Sequence, residues 1–153
     1  MEDSKSVFDA AARGDLETIK LLIDKKKIDV NTRANDDRTA LMRACQNGQF
    51  KVIKFLVEKG AVVNLTDKWG YNALIWAVDR RAADLDTIKY LVEHGANVNV
   101  KDKQKGYSSL HWAAYFGDLE IMKYLVENGA RTNEQNVEGA TPVHLAAANN
   151  QIN

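Results

Sequence analysis

One cysteine, Cys45, excludes any intrachain disulfide, so the 153 residues are held together without covalent cross-links and a reducing compartment, cytoplasmic or nuclear, is expected. Charge of one sign is also missing. Lys plus Arg and Asp plus Glu balance at 21 each, which removes any global attraction to nucleic acid or to an acidic membrane. No apolar run approaches membrane-spanning length, so no membrane insertion by this segment is expected. The acidic start Met1-Glu2-Asp3-Ser4 lacks the basic segment and apolar stretch of a secretory signal. Glycines occur singly, with neither a P-loop nor a dinucleotide-binding turn. No His and Cys grouping has metal-ligand spacing, and no cofactor is implied.

What is present is repetition. The phrase Gly-Ala-x-Val-Asn occurs at Gly60 to Asn64 and Gly95 to Asn99, and in decayed form at Gly129 to Asn133. A spacing of 33 to 35 residues marks supersecondary units that cannot bury their apolar faces alone and must stack on their neighbours. A second phrase precedes each of these turns. Its copies begin at Thr39 (Thr39-Ala40-Leu41-Met42-Arg43-Ala44-Cys45), at Ser108 (Ser108-Ser109-Leu110-His111-Trp112-Ala113-Ala114) and at Thr141 (Thr141-Pro142-Val143-His144-Leu145-Ala146). Thr or Ser ahead of a helical run supplies an N-cap oxygen, and Pro142 suits a first helical turn because it leaves no amide unpaired. The paired small residues let the next helix approach closely, and Gly48 and Gly117 close the first helices.

Second helices follow with apolar stripes: Leu16, Ile19, Leu22 and Ile23; Phe50, Ile53, Leu56 and Val57; Leu85, Ile88, Leu91 and Val92; Leu119, Met122, Leu125 and Val126. Each set falls on one helical face, which predicts core. Glu58, Glu93 and Glu127 repeat at one outer position, expected to be solvated.

These two phrases, repeating in phase over essentially the whole chain, resemble the ankyrin repeat family, whose Thr-Pro-Leu-His-x-Ala signature is spelled most fully at Thr141 to Ala146. The resemblance implies an all-α repeat solenoid, an ankyrin-type stack of helix-turn-helix units joined by β-turn or hairpin-like finger loops. The units are placed at residues 1 to 33, an N-terminal cap, then 34 to 66, 67 to 101, 102 to 135 and a partial 136 to 153. The first unit has Lys25-Lys26-Lys27-Ile28 in place of Gly-Ala. The third carries two extra residues within Asp79 to Asp84, and the fourth one extra within Lys101 to Gly106. Because the fifth unit stops at Asn153 before a second helix, a fragment of a longer protein is expected, with Leu145 and its neighbours partly uncovered and self-association through that end open to the chain.

Enzyme chemistry finds little foothold. His111 and His144 occupy the same slot in two repeats and are expected to satisfy local loop groups, while His94 sits at a helix C-terminus. Cys45 takes a small-residue core position, as a structural thiol would. Asn64-Leu65-Thr66 matches a glycosylation sequon, but Asn64 is the fixed Asn of the repeat phrase.

Binding is therefore the expected class of function. Trp112, Tyr115 and Phe116 share a helical face whose counterparts in unit two are Arg43, Gln46 and Asn47, and in unit three Trp76, Asp79 and Arg80. Polar residues at matched slots predict that this face meets water, with all three aromatics of unit four substantially exposed. Trp69, Tyr71 and Tyr107 in the preceding turns bring the group to seven of the chain's twelve aromatic residues. In ankyrin-like proteins such turn tips and first-helix faces line the concave side, the usual groove for a partner. The predicted partner-binding set is Arg43, Trp69, Tyr71, Trp76, Arg80, Arg81, Tyr107, Trp112, Tyr115 and Phe116, with Lys68, Lys103 and Lys105 nearby. The expected function is a noncatalytic protein-protein interaction module that holds a peptide segment or protein surface by exposed aromatics, basic residues selecting an acidic or phosphorylated flank. Replacing Trp76 and Trp112 together is then expected to abolish binding and spare the fold. The alternative is a substrate-recruiting arm of a larger membrane enzyme, since Ala73 to Val78 and Leu110 to Ala114 look somewhat like stretches in ankyrin-bearing palmitoyltransferases. Nucleic-acid binding is disfavoured by the neutral charge balance.

Overall fold

The computed structural model describes residues 2–79 and 84–149. Its helices are α1 (Glu2–Arg13), α2 (Leu16–Lys20) continuing into a π-helical turn (Leu21–Lys25), α3 (Ala40–Gln46), α4 (Phe50–Glu58), α5 (Ala73–Val78), α6 (Leu85–Glu93), α7 (Ser109–Phe116), α8 (Leu119–Glu127) and α9 (Pro142–Ala148). No strand occurs among the described residues. The expected solenoid is present: the first helices α1, α3, α5, α7 and α9 pack in sequence along one layer, and the second helices pack beside them.

Local chemistry sets the helix starts. Thr39, Ser108 and Thr141 accept from the amides of Met42, His111 and His144 respectively, as the sequence predicts. Unit three uses Asn72, which accepts from the Ile75 amide at 2.9 Å, and the second helices α2, α6 and α8 are capped by Asp15, Asp84 and Asp118. Each cap satisfies an amide that the helix itself leaves unpaired. At Gly117 the chain turns with φ 73°, a left-handed conformation that costs glycine nothing. The missing glycine of the first unit is replaced by Lys27, which adopts φ 58° despite its side chain.

The stripes on the second helices point inward through Ile19, Leu22, Ile53, Leu56, Ile88, Leu91 and Leu125, all buried. Unit four is less covered, for Leu119 and Val126 are exposed. Leu145 is half-buried and Val143 exposed on α9, in keeping with the partly uncovered end. Cys45 has no exposed surface, and burial pushes its thiol pKa far up.

Between units the repeated Asn forms a ladder. Asn31 Nδ2 donates to the Gly60 carbonyl and its Oδ1 accepts from the Val62 amide. Asn64 does the same with Gly95 and Asn97, at 2.8 and 2.7 Å, and Asn99 with Gly129 and Arg131, at 3.0 and 2.9 Å. One side chain thus pairs a donor and an acceptor of the next turn, which a glycan on Asn64 would break. Replacing Asn64 or Asn99 by Ala is expected to cost about 1–2 kcal/mol each in urea unfolding. Asn133, which makes no such bond among the described residues, should cost less, and equal losses at all three would count against the ladder.

Candidate functional site

First helices carry Arg43, Trp76, Trp112, Tyr115 and Phe116 of the predicted site, and finger loops carry Trp69, Tyr71 and Tyr107. Each loop begins at a residue whose side chain folds the loop onto itself: Asp36 accepts from the Arg38 amide, Asp67 from the Trp69 and Tyr71 amides, and Asn136 from those of Glu138 and Ala140. Successive loops are joined by backbone bonds from Lys68 N to Asp36 O, Lys103 N to Trp69 O and Val137 N to Lys105 O. Gly70 lies at that seam with φ 83°, where a Cβ would press on the Lys103 backbone.

The aromatics do assemble, though mostly inward. Trp76 and Trp112 are each only 7% exposed and Tyr107 only 9%; Trp69, Tyr71 and Phe116 are half-buried, and Tyr115 alone of the seven is exposed, at 42%. The expectation that Trp112 and Phe116 stand in water is therefore overturned. The rings pack on one another within and between units: Tyr71 lies 4.7 Å from Trp76, Tyr107 lies 4.8 Å from Trp112, and Tyr71 reaches across to Trp112 at 6.3 Å. Trp112 in turn stacks on Phe116 and meets Tyr115 edge-on. Truncating a buried Trp to Ala costs about 3–5 kcal/mol. The Trp76 and Trp112 double replacement thus attacks the fold itself, against total stabilities of about 5–15 kcal/mol.

Matched polar slots misled because Arg43 is itself half-buried. Among the described residues its Nε has no hydrogen-bond partner, and burial together with Arg38 lowers the guanidinium pKa while Asp36 and Asp9 raise it. Arg80 and Arg81, with the two-residue insertion beside them, lie outside the described residues, as does the chain end at residues 150–153.

The two tryptophans differ in their polar tips. Trp76 Nε1 donates to Asp67 Oδ2 at 2.8 Å, whereas Trp112 Nε1 is buried with no partner among the described residues. The extra residue in the fourth finger loop explains this. Asp102 Oδ1 accepts from Gln104, Lys105 and Gly106, and Oδ2 from Tyr107, so the carboxylate that would face Trp112 is consumed by the longer loop. Burial raises the Asp67 pKa, offset in part by the bonds from Tyr71, Trp76 and Trp69.

Basic groups lie over the rings. Arg38 sits 5.1 Å from Trp76 and 5.8 Å from Trp69, Lys68 4.6 Å from Trp69, and Lys105 5.5 and 5.4 Å from Tyr107 and Trp112. Two clefts open on this surface. One of about 310 Å³ is walled by Arg38 and Gln46 of unit two, Trp69, Tyr71, Trp76 and Asp79 of unit three, and Gln104 of unit four. The other, of about 730 Å³, is bordered by Lys5, Arg33, Arg43 and Lys68 against Asp9 and Asp36.

A model of ankyrin repeats (3 copies) matches residues 7–102 and 81–153. The chain belongs to the ankyrin repeat family. Ankyrin repeats are protein-interaction modules, which gives the coarse function. A stretch of 59 residues is 49% identical to palmitoyltransferase akr1 of Schizosaccharomyces pombe, covering 39% of this chain and 9% of that protein. Fifty-eight residues are 43% identical to alpha-latrocrustotoxin-Lt1a of Latrodectus tredecimguttatus, 38% of this chain and 4% of the toxin. A further 58-residue match, 41% identical, is to human ankyrin repeat domain-containing protein 7, with 38% of this chain and 23% of the relative covered. The aligned stretches thus span under a quarter of each of these relatives.

No cluster of His, Cys, Asp and Glu able to hold a metal occurs among the described residues. His111 is a structural group, as expected: Nδ1 accepts from the Ser108 amide at 3.1 Å, and Nε2 donates to the Ala140 carbonyl of the next unit at 3.2 Å. Sequence reading missed Asp67, Arg38 and Gln104, since nothing in the repeat phrase marks a carboxylate that will meet an indole nine residues later.

Two outcomes are expected. Trp76→Phe strands the Asp67 oxygen while Trp112→Phe removes a donor that is already unpaired, so the former should cost about 1–3 kcal/mol more in denaturant unfolding. Burial lowers the His111 pKa, so the neutral form is favoured by folding and its contribution is complete above the ordinary value near 6.5. Stability should fall as pH drops below that value toward the depressed folded pKa, and His111→Gln should flatten the decline in urea midpoints read across about pH 8 to 5.

Proposed function

We propose that the finger-loop and first-helix face of units two to four is a concave groove that binds an extended or helical segment of another protein, without catalysis, in the cytoplasm or nucleus. The carrying observation is one surface on which Tyr115, Trp69, Tyr71 and Phe116 keep exposed area while Lys68 and Lys105 lie on the neighbouring rings. Half-buried aromatics offer contact area with few torsions left to freeze, which suits anchor residues. The larger cleft has four cations against two carboxylates on its walls, and Asp36 is already paired with Arg38 at 2.8 Å. That imbalance favours an acidic or phosphorylated flank toward unit one. Trp76, Trp112 and Tyr107 serve the groove by holding the other rings, with Arg43, Arg80 and Arg81 as further basic contacts.

A second reading, an ankyrin arm that recruits substrates for a larger membrane enzyme, draws on the likeness to palmitoyltransferase akr1. It uses the same groove and differs only in what the rest of the protein does.

Panning a random peptide display library on the intact chain tests the groove. The comparison is a Lys68→Glu, Lys105→Glu, Tyr115→Ser variant, whose changed side chains are all exposed. Selected peptides should be rich in Asp and Glu and bind the variant at least about tenfold more weakly. Equal binding to both proteins would refute the groove.

A further inference from the structure

The larger cleft, of about 730 Å³, is walled by Lys5 and Asp9 of α1, Arg33 and Asp36 of the loop between units one and two, Arg43 of α3 and Lys68 of the finger loop of unit three. Lys5, Arg33 and Lys68 are exposed, and Arg43 is half-buried. Arg33 Nη1 donates to the Thr66 carbonyl at 3.0 Å, and the Lys68 ammonium lies on the Trp69 ring. Neither of those partners carries a formal charge.

Arg43 is the unusual member of this wall. Among the described residues its guanidinium makes no hydrogen bond and no carboxylate pairs with it. Its Nε is sealed from solvent while its Nη groups are not. Asp36 is spent on Arg38, its Oδ2 accepting from Arg38 Nε at 2.8 Å and its Oδ1 from the Arg38 amide at 3.1 Å. Asp9 is exposed and acts on Arg43 only through space. A guanidinium withdrawn from water without a counter-charge is costly, and burial, aided by Arg38, lowers its pKa accordingly. A planar fork of donors is left open at the wall of a cavity.

The balance of charge selects the anion. With Asp36 committed to Arg38, Asp9 alone stands against the four cations of the wall. A Glu or Asp side chain brings one charge and two oxygens. A phosphomonoester brings about −1.5 to −2 charges at neutral pH and three terminal oxygens, enough to meet the Arg43 fork and leave an acceptor for an ammonium. A nucleic-acid strand needs cations in a long track along its backbone, whereas the chain is neutral overall and this surplus is local. One phosphate on one side chain suits it.

We infer that this cleft receives a phosphorylated side chain of the bound polypeptide, its phosphate oxygens accepting from the Arg43 guanidinium while Lys5 and Lys68 supply the remaining charge. Phosphorylation of the partner then switches its capture on. The inference rests on the reading that this face binds a polypeptide, and it names the modification selected and the residue that reads it.

The probes are short alanine peptide amides whose central residue is phosphoserine, phosphotyrosine, glutamate or serine. They are titrated against the whole chain while the Arg43 Nε–H signal is followed by NMR. At least one phosphopeptide should bind about tenfold more tightly than the glutamate peptide and shift the Arg43 signal, and the tighter of the two identifies the residue class. Arg43→Met keeps the apolar stem and removes a charge that has no partner, so it should weaken the phosphopeptide about tenfold without lowering the urea midpoint. Should that variant fail to fold, the Lys5→Gln, Lys68→Gln pair, changed only at exposed positions, should weaken the phosphopeptide about tenfold. Lys54→Gln, a loss of charge on the exposed side of α4, should change nothing. Glutamate and phosphopeptides binding alike, full binding by both variants, or an unmoved Arg43 signal would each overturn the inference. So would an Arg43 shift that saturates at a lower concentration of oligothymidylate, or of phosphatidylcholine vesicles carrying a phosphoinositide, than of either phosphopeptide. Failure of the phosphopeptides beside successful capture of acidic display peptides removes the phosphate reading and leaves the groove standing.

Discussion

The contact on which the stack depends is a side-chain amide reaching into the next turn. Asn31, Asn64 and Asn99 each pair one carbonyl and one amide of the following unit, groups that a short turn has no means of pairing within itself. Asparagine is the residue for this task because its donor and acceptor sit side by side. With the turns fixed at one edge and the finger loops joined by backbone bonds at the other, the first helices are brought to a spacing at which only Ala, Cys and similar small residues fit between them. Ala44, Cys45, Ala77, Ala113 and Ala146 have no exposed surface as a result.

That frame explains the fate of the aromatics. Positions 76 and 112 lie on first helices, yet the finger loop of the same unit folds back over each ring. Trp76 meets Trp69 and Tyr71 of its own loop and Arg38 of the unit before, and Trp112 meets Tyr107 and Lys105 of its own loop and Tyr71 of the unit before. Trp76 and Trp112 therefore act as props, and the surface they create is presented by Trp69, Tyr71, Tyr115 and Phe116. Hydrogen bonding sharpens the difference between the two units: the shorter loop leaves Asp67 free to hold an indole, and the longer loop of unit four spends Asp102 on its own amides.

Helix starts at Thr39, Ser108 and Thr141, the inward stripes of units one to three and the structural role of His111 were legible in the residues, because capping and 3.6-residue periodicity act over a few positions; in unit four Leu119 and Val126 of the predicted stripe are exposed. The half-burial of Arg43 was not. Comparing repeats reveals which slots tolerate polarity, but a long guanidinium stem lies along apolar surface while its slot still reads as polar. Nor did periodicity announce the left-handed Lys27, where the usual glycine is missing, or the cleft beside Trp76, which needs side chains from three units in their final places.

Cys45 is sealed on α3, with its thiol held protonated by burial. An alkylating reagent therefore finds no nucleophile in the closed stack. Its reaction clocks the parting of unit two from its neighbours, and a partner laid across units two to four would slow that clock by clamping the seam shut.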